Sequence, residues 1–205
     1  VPADRPTARV AGIPLDLTAD GLAVCDGFLS PARVGALIEC ARVRRERGDF
    51  NAARIGADAH LRRRAEVRGD SICWLDEPLL EAERSLTADL ESLRLDLNRE
   101  AFLGLFDHEV HYAWYPPGAG YARHTDQLRG RDGRRLSFIL YLNAAWKPGD
   151  GGELRVFDGA RGCRDVEPIA GRLVCFLTEG REHAVLTTRT DRLSVTGWFR
   201  GRSPG

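Results

Sequence analysis

The 205 residues contain no methionine, no surplus of either charge and no long apolar run. The absent methionine reads as the mark of a trimmed chain rather than of a secreted one, because the opening VPADRPTARVAG is charged and proline-rich where a signal peptide would be apolar. No stretch approaches the ~18 consecutive apolar residues that a membrane-spanning helix needs, so no membrane partner is expected. Thirty Lys and Arg balance thirty Asp and Glu. With no global field, nothing would condense the chain on a nucleic-acid backbone, and any charged partner is met locally. Paired cysteine motifs are missing too: Cys25, Cys40, Cys73, Cys163 and Cys175 are scattered and odd in number, which fits neither a disulfide framework nor a zinc site. Reduced thiols and a cytoplasmic location are the expectation. There is no Gly-x-Ser-x-Gly elbow and no Walker loop, and Gly118-Ala119-Gly120 lacks the third glycine and following helix of a dinucleotide site.

What is present describes one globular domain, with 43% hydrophobic and 29% charged residues. The expected division is a mobile leader over 1–21, a single domain over 22–200 and a tail over 201–205. Within the domain, 22–107 supplies helical support and a lid, and 108–200 supplies a β core. LAVCDGFL reads as a strand running into a turn. Ser30-Pro31 then opens an amphipathic helix through Val34, Leu37, Ile38 and Ala41 that ends at Gly48. SICWL (71–75) reads as a strand, and Asp76-Glu77-Pro78 opens a second helix carrying Leu86, Leu90, Leu93 and Leu97, with Gly104 as its stop. Between them the basic stretch from Phe50 to Arg68, with Arg62, Arg63 and Arg64, is long for a connection and reads as a lid.

After Gly104 the hydrophobic period changes from 3.6 to 2. Strands are expected at 108–115, 120–126, 136–143, 153–157, 164–168, 172–177, 182–187 and 192–199, separated by turns such as PPGAG and KPGDGG. Eight short strands without an intervening helix imply a sandwich or small barrel of the jelly-roll kind, so the fold class is mainly β with flanking α-helices.

His108-Glu109-Val110-His111 is not a zincin motif, because its histidines are three apart and lie on a strand; both read as ordinary strand residues. His124-Thr125-Asp126 is different. On a strand, residues i and i+2 share a face, so an imidazole and a carboxylate stand side by side. Chance alone supplies this pair about 0.4 times in such a chain, so context must decide. His183 opens another strand of the same barrel and can bring a second imidazole to the pair. Two histidines and one carboxylate leave coordination positions open, as in the non-haem iron facial triad rather than a closed zinc site. Arg192 begins the last strand and shares a face with Ser194, Thr196 and Trp198. A guanidinium on the inner face calls for an anion, and a carboxylate bound bidentately is its natural partner.

These residues carry a family resemblance. The segments YPPGAGYARHTD, RRLSFILYLNAAW, GDGGELRVF, GRLVCFL, the isolated His183 and RLSVTGWFR resemble the Fe(II)- and 2-oxoglutarate-dependent prolyl 4-hydroxylases. RGDSICWLDE and GLFDHEVHYAWY are similar to the branch holding the animal oxygen-sensing enzymes and their bacterial relatives. The resemblance implies a double-stranded β-helix (cupin-like) core and iron ligation by His124, Asp126 and His183. It implies that Arg192 and Tyr141 hold the far carboxylate of 2-oxoglutarate, with Tyr115, Thr196 and Trp198 lining that pocket, and that Arg134, Tyr121 and Asp70 lie toward the substrate. It also implies hydroxylation of a prolyl residue in a protein substrate, for which elongation factor Tu is the family's suggested bacterial target, with O2 consumed, succinate and CO2 released, and ascorbate as reductant. The doubled Pro116-Pro117 and the Arg- and Ala-rich lid depart from the animal enzymes. Two further readings stand beside this one: the same chemistry on a free amino acid or other small molecule, and a catalytically silent jelly-roll binding module.

Overall fold

The structure is a computed structural model that describes residues 8–10, 13–15, 21–53, 67–126, 133–159 and 162–202. Most of the expected lid, including Arg62, Arg63 and Arg64, lies outside the described residues. Within the stretch expected as a mobile leader, β1 (Ala8–Val10) pairs antiparallel with β2 (Ile13–Leu15). Strands of three residues are too short to display a period, which is why the sequence pattern missed them. After β3 (Leu22–Cys25) comes α1 (Pro31–Glu46), whose N-cap Ser30 accepts the Arg33 N–H at 3.4 Å, with Pro31 preset for the first turn. Arg44 and Arg45 in its last turn complement the helix dipole.

Next are β4 (Asn51–Ala52), β5 (Ser71–Trp74) and α2 (Glu81–Ala101). The second helix starts at Glu81 rather than at Asp76-Glu77-Pro78. Its first turn is closed by Glu83, whose carboxylate accepts the Leu80 N–H at 2.8 Å, so the cap comes from inside the helix and the Asp-Glu-Pro triplet lies ahead of it. Phe102 ends the helix in the left-handed region (φ 53°), two residues before the expected Gly104. Asn98 then ties the helix end to the following strand, giving and receiving hydrogen bonds with the Leu105 backbone at 2.7 Å each.

The remaining strands are β6 (Leu105–Tyr115), β7 (Tyr121–His124), β8 (Arg134–Tyr141), β9 (Leu154–Phe157), β10 (Cys163–Val166), β11 (Leu173–Leu177), β12 (His183–Val185) and β13 (Arg192–Gly201). All eight expected strands are present. They form a seven-stranded sheet, β3-β11-β8-β13-β6-β5-β4, and a four-stranded sheet, β10-β9-β12-β7. Every pairing within them is antiparallel, as in a jelly roll.

Alternation divides the large sheet into two faces. Tyr112, Phe138, Leu140, Leu193, Val195 and Phe199 project outward and join the helix residues Leu37, Leu86, Leu90, Leu93 and Leu97 in the main core. Ile139, Tyr141, Val174 and Phe176 project inward and pack with Leu154, Val156 and Val166 of the small sheet. Apart from Ala113, the inward positions left over on β6, β8 and β13 are polar or aromatic, and these build the site. Gly197 allows that sheet to close: a Cβ there would lie 2.2 Å from the Glu109 carbonyl and 2.5 Å from the Phe138 ring.

One ion pair is buried between the helices. Arg44 of α1 donates two 2.7 Å hydrogen bonds to the Glu83 carboxylate of α2 and a third to the Pro78 carbonyl. Removing one partner would leave the other charged and buried, at a cost of about 3–5 kcal/mol. Glu83→Ala is therefore expected to lower the unfolding free energy by about that amount in urea titration, and Leu93→Ala by ~2–5 kcal/mol through its cavity. Arg33→Ala, which breaks the surface pair with Asp89 and an exposed hydrogen bond to Ser85, should cost under about 1 kcal/mol.

Candidate metal and co-substrate site

The site is assembled by strand register. In the small sheet β7 and β12 pair with His124 directly opposite His183, and Asp126 follows two residues beyond His124. The ligand atoms of these three residues all lie within 4.8 Å of one another. Asp126 stands between the imidazoles, with 3.6 Å from one carboxylate oxygen to His124 Nε2 and 3.6 Å from the other to His183 Nε2. The far side of each ring is tied to the backbone: His124 Nδ1 lies 2.8 Å from the Ala122 carbonyl and His183 Nδ1 lies 3.3 Å from the Arg181 carbonyl. A carbonyl can only accept, so each Nδ1 carries the proton and each Nε2 lone pair faces the carboxylate. Burial lowers the His183 pKa and keeps the ring neutral. The Ser137 hydroxyl donates to the Asp126 carboxylate at 2.6 Å and favours its ionised form. Two imidazoles and one carboxylate, their donor atoms converging and one side left open, form a set suited to a divalent metal.

A small cavity of about 40 Å³ runs from this triad toward Arg192, lined also by Tyr115, Ile139, Leu154 and Thr196. Arg192 is 2% exposed. Its Nε donates to the Gly152 carbonyl at 2.8 Å, Nη1 lies 3.4 Å from Ser194 Oγ, and the guanidinium carbon sits 5.0 and 5.2 Å from the ring centroids of Tyr115 and Tyr141. Among the described residues, Arg192 Nη2 and Tyr141 Oη are buried without a hydrogen-bond partner. A permanently charged guanidinium with an unused donor, beside an unused phenol, is a seat built for an anion. Gly152 is part of that seat: at φ +78° it adopts a backbone that disfavours a side chain, and an added Cβ would lie 2.9 Å from Arg192 Cδ.

Three comparisons with known proteins agree with this geometry. Residues 110–200 match the family model described as the 2OG-Fe(II) oxygenase superfamily. The crystal structure of a Pseudomonas putida prolyl-4-hydroxylase is 43% identical with a TM-score of 0.81, over 91% of this chain and 96% of that one. The chain belongs to the 2OG-Fe(II) oxygenase superfamily. Within it the chain is of prolyl-hydroxylase type, and the family's chemistry implies Fe(II), 2-oxoglutarate and O2. A Trichoplax adhaerens prolyl hydroxylase, solved with a hypoxia inducible factor peptide fragment, is 27% identical with a TM-score of 0.81, covering 90% of this chain and 85% of that one. A PKHD-type hydroxylase of Maricaulis maris is 37% identical over 87 residues, 42% of this chain and 39% of that protein. Prolyl 3-hydroxylase OGFOD1 of Mus musculus is 34% identical over 90 residues, 39% of this chain and 16% of that protein. The match thus spans less than half the length of either curated relative.

The other residues singled out in the sequence fall into two groups. Tyr121 stacks on His124 with centroids 3.5 Å apart, and Arg134 covers the Trp198 ring at 3.6 Å; both line a larger cleft of about 1310 Å³ on the open side of the oxygenase triad. Asp70 lines neither cavity. It is buried behind Arg68, which it grips through two hydrogen bonds at 2.8 and 3.0 Å, and Arg68 in turn lies over the Tyr121 ring. Four residues of the site were not singled out. Ser137 binds Asp126, Glu109 binds Arg134 at 2.6 Å, and Trp74 and His111 line the cleft. His111 was read as an ordinary strand residue; it is 1% exposed, between Trp74 and Trp198 at 4.8 and 5.3 Å. The available signal was parity, since 109, 111, 113 and 115 share the inward face with Tyr115.

Burial pushes the His111 pKa from 6.5 down to about 3, aided by Arg68 and Arg134. The folded state therefore binds a proton less readily than the unfolded one. This contribution to stability is complete above pH 6.5 and is lost as pH falls from there toward 3, at up to about 1.4 kcal/mol per pH unit. Chemical denaturation of His111→Phe between pH 7 and 4.5 should show a flatter acid limb than the parent protein.

Proposed function

We propose that the protein is an Fe(II)- and 2-oxoglutarate-dependent dioxygenase that hydroxylates a prolyl residue in a protein substrate. His124, Asp126 and His183 are assigned the metal, Arg192 and Tyr141 the far carboxylate of 2-oxoglutarate, and Tyr115, Thr196 and Trp198 the walls between. When bound, iron with 2-oxoglutarate and O2 supplies the oxidising chemistry, with release of succinate and CO2, and ascorbate serves as reductant. The chain's own work is placement. The backbone carbonyls of Ala122 and Arg181 fix both imidazole tautomers, Ser137 fixes the carboxylate, and Arg192 sets how deep the co-substrate sits. Ile139 and Leu154, lining the small cavity, keep water from its apolar wall.

The observation that carries this reading is one small cavity lined both by the converging triad and by Arg192, whose guanidinium lies beside the Tyr141 ring, each of the two with a polar atom left unsatisfied among the described residues. A catalytically silent module would gain nothing from leaving one nitrogen of a buried guanidinium unanswered beside such a triad. The cleft of about 1310 Å³ exceeds the usual ~300–1,000 Å³ of small-molecule pockets, which favours an extended polypeptide over a free amino acid. Elongation factor Tu is the first protein to test. Five free thiols, four of them buried, support a reducing, cytoplasmic setting in which iron stays ferrous.

Succinate release with Fe(II) and 2-oxoglutarate, run against purified elongation factor Tu and proline-containing peptides with detection of a 16 Da gain, tests the reading. Asp126→Ala should abolish turnover, and Arg192→Ala should raise the 2-oxoglutarate KM more than tenfold. If 2-oxoglutarate fails to bind the Fe(II)-loaded protein, the assignment is wrong. Ser137→Ala is expected to weaken metal binding by about 10- to 100-fold while the fold persists, as read by competition with a chromogenic chelator.

A further inference from the structure

The two histidines of the triad are supported unequally. His183 lies on β12, between β9 and β7, and is buried with its ring 4.8 Å from that of Phe176. His124 lies on β7, the last strand of the small sheet, and is only half-buried. A ligand in that position keeps rotamer freedom that metal binding must freeze, unless neighbours hold the ring beforehand. Such neighbours come from outside the triad. Residues 67–70, which lead into β5, lie as a strap along β7.

The strap reaches His124 by two routes. Along the backbone, the Ala122 N–H donates to the Val67 carbonyl at 2.8 Å and the Gly69 N–H donates to the Gly120 carbonyl at 3.0 Å. The Ala122 carbonyl is the group that takes the His124 Nδ1 proton, so the residue that fixes the tautomer is itself tied to the strap. Gly69 permits the close approach, since an added Cβ would lie 2.9 Å from Ala119 Cβ. Through side chains, the Arg68 guanidinium lies over the Tyr121 ring, 4.8 Å from its centroid, and Tyr121 stacks on His124 at 3.5 Å with 15° between the planes. Asp70 fixes the plane of Arg68 with two hydrogen bonds at 2.8 and 3.0 Å, a clasp that a lysine could not complete. A buried ion pair adds little net stability by itself. Here it has a use, because the plane it fixes bears on the ring that covers a ligand.

Resting on the proposed metal role of the triad, we propose that Asp70, Arg68 and Tyr121 are positioning residues for the metal. Asp70 orients Arg68, Arg68 holds the Tyr121 ring, and Tyr121 holds the His124 imidazole with Nε2 turned toward Asp126. The three act in series, and none of them is a ligand. Asp70 and Tyr121 thereby acquire a role toward the metal, where the family resemblance set them toward the substrate. His183, enclosed by its own sheet and Phe176, needs no such support.

The test loads the full chain with Co(II), whose affinity is read by competition with a chromogenic chelator and whose coordination is read from its visible absorption bands. Urea titration controls for the fold. Tyr121→Leu should weaken Co(II) binding about 10- to 100-fold and alter the bands, whereas Tyr121→Phe, which keeps the ring, should stay within about twofold of the parent protein. Asp70→Asn and Arg68→Lys should each weaken binding about fivefold alone, and neither should add to the loss in Tyr121→Leu, because residues acting in series are not additive. Arg68→Lys carries this arm if Asp70→Asn does not fold, since it leaves a positive charge beside Asp70. Parent-like affinity and bands in Tyr121→Leu overturn the proposal, even if urea stability falls. An equal loss in Tyr121→Phe overturns it too, as does an Arg68→Lys loss that persists undiminished in Tyr121→Leu. Succinate release with Fe(II) and 2-oxoglutarate, run in parallel on the parent protein, separates this proposal from the reading it rests on. A parent that turns over 2-oxoglutarate while Tyr121→Leu keeps its metal retains the oxygenase assignment and loses the positioning role, whereas a parent that binds neither metal loses both.

Discussion

The antiparallel pairing of β7 with β12 places His183 opposite His124, and nearly everything at the site depends on that register. A slip of one residue would turn one imidazole out of the barrel and leave Asp126 facing a single donor. The register is held from several directions. Val156 pairs with His183 on the other side of β12, residues 67 to 69 hydrogen-bond along the outer edge of β7, and Gly118 and Ala119 exchange backbone hydrogen bonds with Thr188. The backbone also fixes the tautomers, through carbonyls two residues before each histidine. Position and protonation state of the ligands thus come from one set of strand geometries.

Three guanidinium groups, two buried and one half-buried, illustrate how the same chemical group serves different ends. Arg44 is fully answered by Glu83 and the Pro78 carbonyl, and joins the two helices behind the large sheet. Arg68 is answered by Asp70, and its plane then bears on Tyr121, which stacks on a triad histidine. Arg192 is answered only in part: a carbonyl takes Nε, a hydroxyl takes Nη1 and, among the described residues, nothing takes Nη2. Completeness of pairing separates structural charge from charge kept for a ligand, because an unanswered buried donor is costly and persists only where something else completes it. The family match and the likeness to prolyl hydroxylase structures fit that distinction.

Much of this was legible in the residues. The switch from period 3.6 to period 2 after Gly104 marked the β core, and all eight strands appear near their expected places. His-x-Asp on a strand, with a lone histidine on a later one, gave the triad as a hypothesis. The start of α2 was not legible, since Glu83 caps it from within and a proline nearby gave a stronger but misplaced signal. Nor were β1 and β2, which are too short for alternation to register. Asp70 matched a family position, yet it touches the site only through Arg68, a relation that spacing along a strand cannot express.

The sequence by itself determined the alternation of faces, the identity of the donors and the placement of an arginine on the inner side of the last strand. These are local properties, set by the two-residue period of extended backbone. Only the tertiary structure decided which inward residues meet. His111 looked like any strand residue until β5 and β13 flanked it with Trp74 and Trp198, and Ser137 was one polar residue in an apolar strand until Asp126 came within 2.6 Å. Whether a buried polar atom is satisfied depends on neighbours contributed by other strands. The pattern of paired and unpaired groups, from which the function is argued, exists only in the folded chain.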